Sequence, residues 1–156
     1  MEIRLNWAEL FQAAVIGITR NVAALKRGLP DKHGFNGESG WSIHIEGAAG
    51  EMATAKALNL YYSSSVNVFK SIHGDVGALE VRTRSKHEYD LIVRPNDNPD
   101  SVYVLVTGIS PIYRIRGWIL GKDARKDEWW QTHGGRSGAW FVPVDRLNSI
   151  DLLVHR

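Results

Sequence analysis

The sequence contains no cysteine in 156 residues, and no apolar run approaches the length of a membrane span. The first absence excludes disulfide scaffolds, cysteine-ligated metal sites and cysteine nucleophiles, so a metal would bind mainly Asp, Glu or His. The second excludes a helix of the roughly 20 apolar residues that a bilayer requires. The N-terminus also lacks the basic start and apolar stretch of a signal peptide. Together these absences predict a cytoplasmic protein with no membrane partner.

Net charge is also small, with 19 lysines and arginines against 17 aspartates and glutamates. The excess lies at 111–156, which holds eight basic and five acidic residues. Clustered cations can bind phosphate, but a spread of this size is common on solvated surfaces. Charge alone therefore leaves open a nucleic-acid-binding face and an ordinary solvated face. The cations concerned are Arg114, Arg116, Lys122, Arg125, Lys126 and Arg136.

The residues that are present have the composition of an ordinary folded domain. Hydrophobic residues make up 44% and charged residues 23% of the chain, which argues against disorder and against a coiled coil. The length fits one domain. We expect an N-terminal helix and loop at 1–42, a core helix and strands at 43–110, and a basic, tryptophan-rich part at 111–156.

Two long helices are predicted in the first part of the chain. Asn6 and Glu9 have the spacing of a capping box at the start of a helix over 5–27. A second helix at about 45–60 is rich in small residues that would let it lie close against a sheet. A polar, glycine-rich loop at 31–42 joins the two. Apolar residues recur at helical spacing along the first helix: Trp7, Leu10, Phe11, Ala14, Val15, Ile18, Val22 and Leu25.

Strands dominate from residue 66 onward. The most apolar of them, at 102–107, is expected to lie centrally in its sheet. The order of elements predicts an α/β or α+β fold, a single domain whose central mixed sheet is flanked by helices. A short helix is expected at 122–130. The predicted strands are at 66–72, 79–84, 89–94, 102–107, 112–120 and 139–142.

The segment Gly74–Arg84 carries the clearest chemical signal. Strand side chains alternate between faces, so Leu79 and Val81 are expected to point into a core. The charged residues of the strand then share the opposite face: Glu80, Arg82 and Arg84.

Two carboxylates of this segment are expected to converge. Asp75 lies at the turn that leads into the strand, beside Gly77, where the chain can bend back sharply. Asp75 and Glu80 could then meet at one edge of the sheet. Such oxygen ligands suit Mg²⁺ or Mn²⁺. An acidic turn residue and a charged strand face also occur in purely structural roles.

Glu51 is a third carboxylate of interest, because a helical wheel places it within a stripe of small residues that faces the sheet. A buried carboxylate is costly unless it has a partner. A metal, a water on that metal, or a guanidinium from Arg82 or Arg84 could each fill this role. Glu46 lies on a different face of the same helix and is expected to be a surface residue.

These residues resemble the PD-(D/E)XK, or restriction-endonuclease-like, nuclease superfamily, and more narrowly its small phage- or bacterium-encoded members. The resemblance covers 45–107. It rests on a small-residue helix with Glu51, followed by Gly74-Asp75 and by the run Glu80-Val81-Arg82. Gly74 stands where the family motif has proline. The resemblance implies a restriction-endonuclease-like fold and a metal-dependent deoxyribonuclease that leaves 5′-phosphate. It also implies DNA as partner, the host cytoplasm for a phage-encoded chain, and a homodimer by analogy.

The resemblance assigns a role to each motif residue. Asp75, Glu80 and the backbone carbonyl of Val81 would ligate Mg²⁺ or Mn²⁺, and Glu51 would reach the metal directly or through water. Arg82 stands where the family has lysine. Arginine cannot act as a base, but it can bind the scissile phosphate and stabilise developing charge while metal-bound water attacks.

The arginine at position 82 also raises an alternative function. The chain could be a catalytically degenerate module that binds nucleic acid or protein, with Glu51 and Arg82 as a structural ion pair. In the nuclease hypothesis, by contrast, DNA would contact six cations: Arg84, Arg114, Arg116, Lys122, Arg125 and Lys126. Trp129 and Trp130 could stack on bases, although packing against the sheet or a dimer partner is favoured.

Overall fold

The computed structural model describes residues 1–27, 40–64, 66 and 74–154. Most of the expected loop at 31–42 and, apart from residue 66, the expected strand at 66–72 lie outside these residues. The described helices are α1 (Trp7–Lys26), α2 (Gly40–Leu58) and α3 (Asp151–Val154). The strands are β1 (Glu2–Arg4), β2 (Leu79–Arg84), β3 (Leu91–Val93), β4 (Val102–Ile109), β5 (Ile112–Leu120), β6 (Trp130–Gln131) and β7 (Ala139–Val142).

The capping box predicted for α1 is confirmed. The Glu9 backbone N–H donates to Asn6 Oδ1 at 2.9 Å, and the Asn6 N–H donates to Glu9 Oε2 at 2.6 Å. These bonds satisfy two of the backbone donors that a helix start leaves without an intrahelical acceptor. The second helix begins at Gly40, earlier than expected, because packing against α1 extends it over residues of weak helical preference.

Small residues let α2 pack closely on both sides. A Cβ at Gly17 of α1 would lie 2.5 Å from the Ile45 Cα atom of α2, so the two helix backbones nearly touch. On the sheet side, a Cβ at Gly50 would collide with the Thr83 side chain of β2. The expectation that α2 lies close against a sheet is therefore confirmed.

The main sheet is mixed and has the order β1-β5-β4-β2, with β2 and β4 parallel and the other pairs antiparallel. The predicted central position of β4 is confirmed. A second, antiparallel sheet has the order β3-β7-β6 and was not expected. The described chain is thus a small α+β domain with a mixed sheet. The finer, restriction-endonuclease-like assignment remains a prediction.

The main sheet has a hydrophobic core on each face. The first core lies against α1 and α2 and includes Val81 with Leu79 packed against it, as the alternation of β2 predicts. The second lies between the opposite face and the small sheet, and it includes the buried Trp129. Packing against the sheet is therefore confirmed for Trp129, whereas Trp130 is 43% exposed. None of the described helices combines the length and apolar character needed to cross a membrane.

The prediction of a helix at 122–130 is wrong in extent, because the helix in the structure is much shorter. Residues 121–124 form turns, and only Asp127–Trp129 forms a short 3-10 helix. Long-range bonds hold the turns instead: the Lys122 N–H donates to the Pro99 carbonyl at 2.7 Å, and Arg125 donates to carbonyls at 95 and 97. These tertiary bonds replace the local ladder that a helix would need.

Most of the apolar residues that define α1 in sequence lie outside its packed side, although Leu10 packs against the first core. The buried residues of α1 are Ala13, Ile16, Gly17 and Asn21, which face α2 and the first core. Six large apolar residues on another side are exposed: Trp7, Phe11, Val15, Ile18, Val22 and Leu25.

Candidate functional site at the edge of strand β2

A tight turn places the Asp75 carboxylate at the outer edge of β2. Val76 and Leu79 exchange two backbone hydrogen bonds at 3.1 and 3.0 Å, and Gly77 adopts a positive φ of 59° between them. The chain thereby folds back, and Asp75 Oδ2 accepts a hydrogen bond from the Val81 N–H at 2.8 Å. The sharp turn expected beside Gly77 is confirmed.

The Val81 carbonyl lies on the same edge as Asp75. In an extended strand, the N–H and C=O of one residue point to the same side. Because the Val81 N–H points to Asp75, its carbonyl also points away from β4. Among the described residues β2 is the last strand on this side of the sheet, and its edge presents a carboxylate and a backbone oxygen side by side.

Glu80 lies beside this edge on the face of β2 opposite α2. Its half-buried side chain is 3.6 Å from Arg82 Nη1. Burial raises the pKa of Glu80, and the negative charge of Asp75 raises it further, while Arg82 partly opposes both effects. The negative charge of Asp75 therefore acts on Glu80, and the convergence of the two carboxylates on one metal ion stays a prediction.

Glu51 is 6% exposed and already has partners. Arg20 of α1 donates to both of its oxygens, at 2.6 and 2.8 Å, and the Tyr62 hydroxyl donates to Oε2 at 2.9 Å. The expected pairing of Glu51 with Arg82 or Arg84 is therefore wrong.

Burial has the largest effect on the pKa of Glu51 and raises it. The charge of Asp75 adds to this rise, whereas Arg20 and Tyr62 lower it without cancelling it. The Tyr62 hydroxyl has its own pKa raised by burial and by the Glu51 charge, so it remains a donor. Asp75 thus acts on carboxylates from both faces of β2.

The donor set fits a magnesium-type ion only in part. Within the described ranges, no three carboxylates or histidines are grouped closely enough to hold one metal ion. Both Glu51 oxygens are engaged by Arg20 and Tyr62, so direct ligation by Glu51 does not fit. Asp75, Glu80 and the Val81 carbonyl remain, and Mg²⁺ commonly uses one or two carboxylates while keeping several waters.

Arg82 is fixed on the Glu80 side of the strand. Its Nη2 lies 3.2 Å from Asp97 Oδ1, and its guanidinium lies 5.0 Å from the centre of the Tyr103 ring. Burial disfavours its charge, but Asp97, Asp75 and Glu80 outweigh this effect and raise its pKa. Arg82 therefore stays cationic beside the carboxylates.

Asp97 and Glu46 are structural residues that sequence patterns did not identify. The second Asp97 oxygen accepts from the Arg94 N–H at 2.8 Å, which fixes the turn that holds Arg82. Glu46 was expected on the surface, yet it accepts hydrogen bonds from Ser110 and from the Tyr113 hydroxyl, at 2.6 Å for the latter. Neither contact could be predicted from the spacing of neighbouring residues, because the partners are distant in sequence.

The six cations predicted to contact DNA divide into two groups. In the first group, Arg84 of β2 pairs with Thr107 of β4, and Thr107 pairs with Arg114 of β5, so the two arginines lie in one row across the sheet. Arg116 follows on the same face of β5 as Arg114. The other three, Lys122, Arg125 and Lys126, follow the C-terminal end of β5. This end of β5 pairs with the start of β4, and the start of β4 pairs in turn with the start of β2, where Leu79 and Glu80 lie. The second group is therefore at the same end of the sheet as Glu80.

Several of these cations already have protein contacts. Arg84 donates to the Asp90 carbonyl at 3.0 Å and lies over the Tyr89 ring, and burial lowers its pKa. Arg114 pairs with Glu2 at 3.1 Å, and Arg116 reaches the His87 carbonyl at 3.5 Å. Arg125 and Lys126 lie over the rings of Trp140 and Trp129. Lys122 and Lys126 are exposed.

Comparison with protein-family models, curated proteins and solved structures finds no match to this chain.

Proposed function

We propose that the chain is a Mg²⁺- or Mn²⁺-dependent phosphodiesterase that hydrolyses the DNA backbone. The observation that supports this most directly is the position of Asp75. Its carboxylate is anchored to Val81 at the outer edge of β2 and raises the pKa of both Glu80 and Glu51. Carboxylates that repel one another beside a sheet edge form a site that a divalent cation would stabilise.

Each residue then has a defined task. Asp75, Glu80 and the Val81 carbonyl supply oxygen ligands, and Glu51 orients Arg20 behind them. Arg82, held by Asp97, stays charged and stabilises negative charge on the scissile phosphate. When bound, the divalent ion supplies a Lewis acid that activates water and neutralises phosphate charge.

The decisive experiment uses supercoiled, linear and branched DNA with Mg²⁺ or Mn²⁺. Asp75→Asn keeps the side-chain shape but removes the charge, so we expect cleavage to fall at least about 100-fold. Asp100→Asn, in an exposed turn, is the matched control and should cleave like wild type. Equal activity of wild type and Asp75→Asn on every substrate would refute the proposal.

Metal binding has an independent readout. A cation that binds only the folded chain raises the melting temperature, and at ten times its Kd the gain is about 1.4 kcal/mol. We expect millimolar Mn²⁺ to raise the melting temperature of wild type and of Asp100→Asn, but not of Asp75→Asn. Three identical responses would exclude a site at Asp75.

A catalytically degenerate nucleic-acid-binding module is the alternative, and the ion pairs favour it. Arg20–Glu51 and Arg82–Asp97 are formed without a metal. Such a module would bind DNA without divalent cations, and Asp75→Asn would bind as tightly as wild type. Fluorescence anisotropy with labelled DNA and a salt titration separates the two functions, because only the nuclease also cleaves the probe.

A further inference from the structure

The six exposed apolar residues of α1, here named the α1 stripe, form a continuous apolar surface. Trp7 is 82%, Phe11 73% and Leu25 65% exposed, and the three residues between them are more than 40% exposed. Aromatic residues such as tryptophan and phenylalanine are enriched in protein interfaces relative to the rest of the surface. The α1 stripe is Trp7, Phe11, Val15, Ile18, Val22 and Leu25.

The spacing of the α1 stripe is that of a helix-pairing seam. From Phe11 onward, the residues follow at intervals of four, three, four and three, the pattern of a heptad seam. The opposite side of α1 is buried against α2 and the first core through Ala13 and Gly17. The helix therefore has one apolar side for its own domain and a second that is exposed.

We propose that a second copy of this chain covers the α1 stripe, with the two α1 helices antiparallel. From the exposed fractions and typical residue areas, the stripe contributes about 700 Å² per chain, or about 1,400 Å² over two copies, within the roughly 1,200–2,000 Å² of specific interfaces. A self-complementary seam also suits a two-fold axis, which brings the same surface of both copies together.

The order of side-chain sizes favours the antiparallel arrangement. At the centre of the pair, Val15 of one copy lies opposite Ile18 of the other. Further out, Phe11 lies opposite Val22, and the N-terminal end with Trp7 lies opposite Leu25. Each large residue then faces a smaller one, whereas a parallel pair would stack the aromatic residues at one end. The antiparallel pair also opposes the two helix dipoles, which is the favourable arrangement.

The oligomeric state tests the proposal directly. Sedimentation equilibrium over a concentration series should give twice the chain mass for wild type. Ile18→Glu places a charge in the seam and should raise the dissociation constant at least about 100-fold. Ile109→Glu is the matched control, because Ile109 is 61% exposed and lies on β4 outside the stripe.

Two results would overturn the pairing. The first is a wild type that is monomeric at every concentration, which would mean that the stripe stays exposed or is covered within its own chain. The second is an identical mass distribution for Ile18→Glu and Ile109→Glu. Because Ile18 is exposed in one copy, its substitution should leave that copy folded, and circular dichroism checks this.

Engineered thiols test the orientation without interference, since the chain has no cysteine of its own. Chains with Ala8→Cys are mixed with chains with Leu25→Cys and oxidised. Each chain then carries a single thiol, so a bond can form only between copies. The antiparallel pair predicts disulfides only between the two different variants. Disulfides within either variant alone would overturn the antiparallel arrangement.

The pairing does not depend on the proposed function. Sedimentation reports the interface whether or not DNA is cleaved, and cleavage by wild type reports the site in either oligomeric state.

Discussion

Two hydrogen bonds from Arg20 and one from Tyr62 surround the Glu51 carboxylate. The Arg20 and Glu51 side chains are 14% and 8% exposed, so the ion pair is mostly shielded from water. Removing one partner of a buried pair leaves an uncompensated charge. We therefore expect Arg20→Met to lower the free energy of unfolding by about 3–5 kcal/mol, measured by urea denaturation.

Arg114 and Glu2 provide a matched comparison on the surface. Their side chains are 48% and 56% exposed, and the atoms of this pair are 3.1 Å apart. Water screens such pairs, so Arg114→Met should cost less than about 1 kcal/mol. Equal losses for Arg20→Met and Arg114→Met would contradict the importance assigned to burial of the Glu51 pair.

The raised pKa values of Glu51 and Glu80 predict the direction in which the free energy of unfolding changes with pH. Between the ordinary pKa of 4.5 and the raised values, the folded chain holds protons that the unfolded chain releases. The free energy of unfolding should therefore fall as the pH rises through this window. Asp75→Asn removes a charge that raises both pKa values, so we expect a shallower fall in urea denaturation between pH 4.5 and 7.

Carboxyl NMR titrations locate the same effect at single residues. The pKa of Glu80 should be lower in Asp75→Asn than in wild type, whereas Asp100→Asn should leave it unchanged. An unaltered Glu80 titration in Asp75→Asn would show that the two carboxylates do not interact.

At the scale of elements, local signals in the sequence predicted much of the structure. The capping residues Asn6 and Glu9 identified the start of α1, and alternation with flanking turns gave the bounds of β2, β5 and β7. These features depend on neighbours in the chain. Two strands of the second sheet were predicted, β3 within 89–94 and β7 at 139–142, but their pairing was not, because partners distant in sequence leave no local signal. The third strand, β6, was missed because it is only two residues long.

Partners across the fold could not be predicted in the same way. Arg20 and Glu51 are 31 residues apart, and the contact requires α1 and α2 to cross at Gly17. Apolar periodicity also showed that α1 has distinct sides without showing which side packs. The buried side contains Ala13 and Gly17, because a close helix crossing favours small residues over the large ones of the α1 stripe.

Alanine substitutions at two glycines of α2 should change the free energy of unfolding in opposite directions. A Cβ at Gly50 collides with Thr83, so Gly50→Ala should lower the free energy of unfolding by about 1–3 kcal/mol through overpacking. At Gly47 no heavy atom lies within 4 Å of the added Cβ, and Gly47→Ala should gain about 0.5–1 kcal/mol from helix propensity. Thermal and urea unfolding of both variants would check the pair, and similar effects at the two sites would contradict the close approach of α2 to β2.

For the whole molecule, the turn at 94–98 connects parts that are far apart in sequence. Asp97 holds Arg82 of β2 through its carboxylate, while its carbonyl accepts from Arg125 beyond β5. The proposed site and the second group of cations are thereby attached to one short turn. A DNA backbone bound by Lys122 and Lys126 would approach the same end of the sheet as Glu80.

The two apolar sides of α1 have a thermodynamic consequence. Arg20, which neutralises Glu51, is two residues from Ile18 of the α1 stripe, so one helix contributes to both the interface and the carboxylate site. Any free energy by which pairing of the copies shifts the proton affinity of Glu51 equals the free energy by which protonation of Glu51 shifts the pairing. A dimer dissociation constant that changes with pH through the titration of Glu51 would measure this coupling.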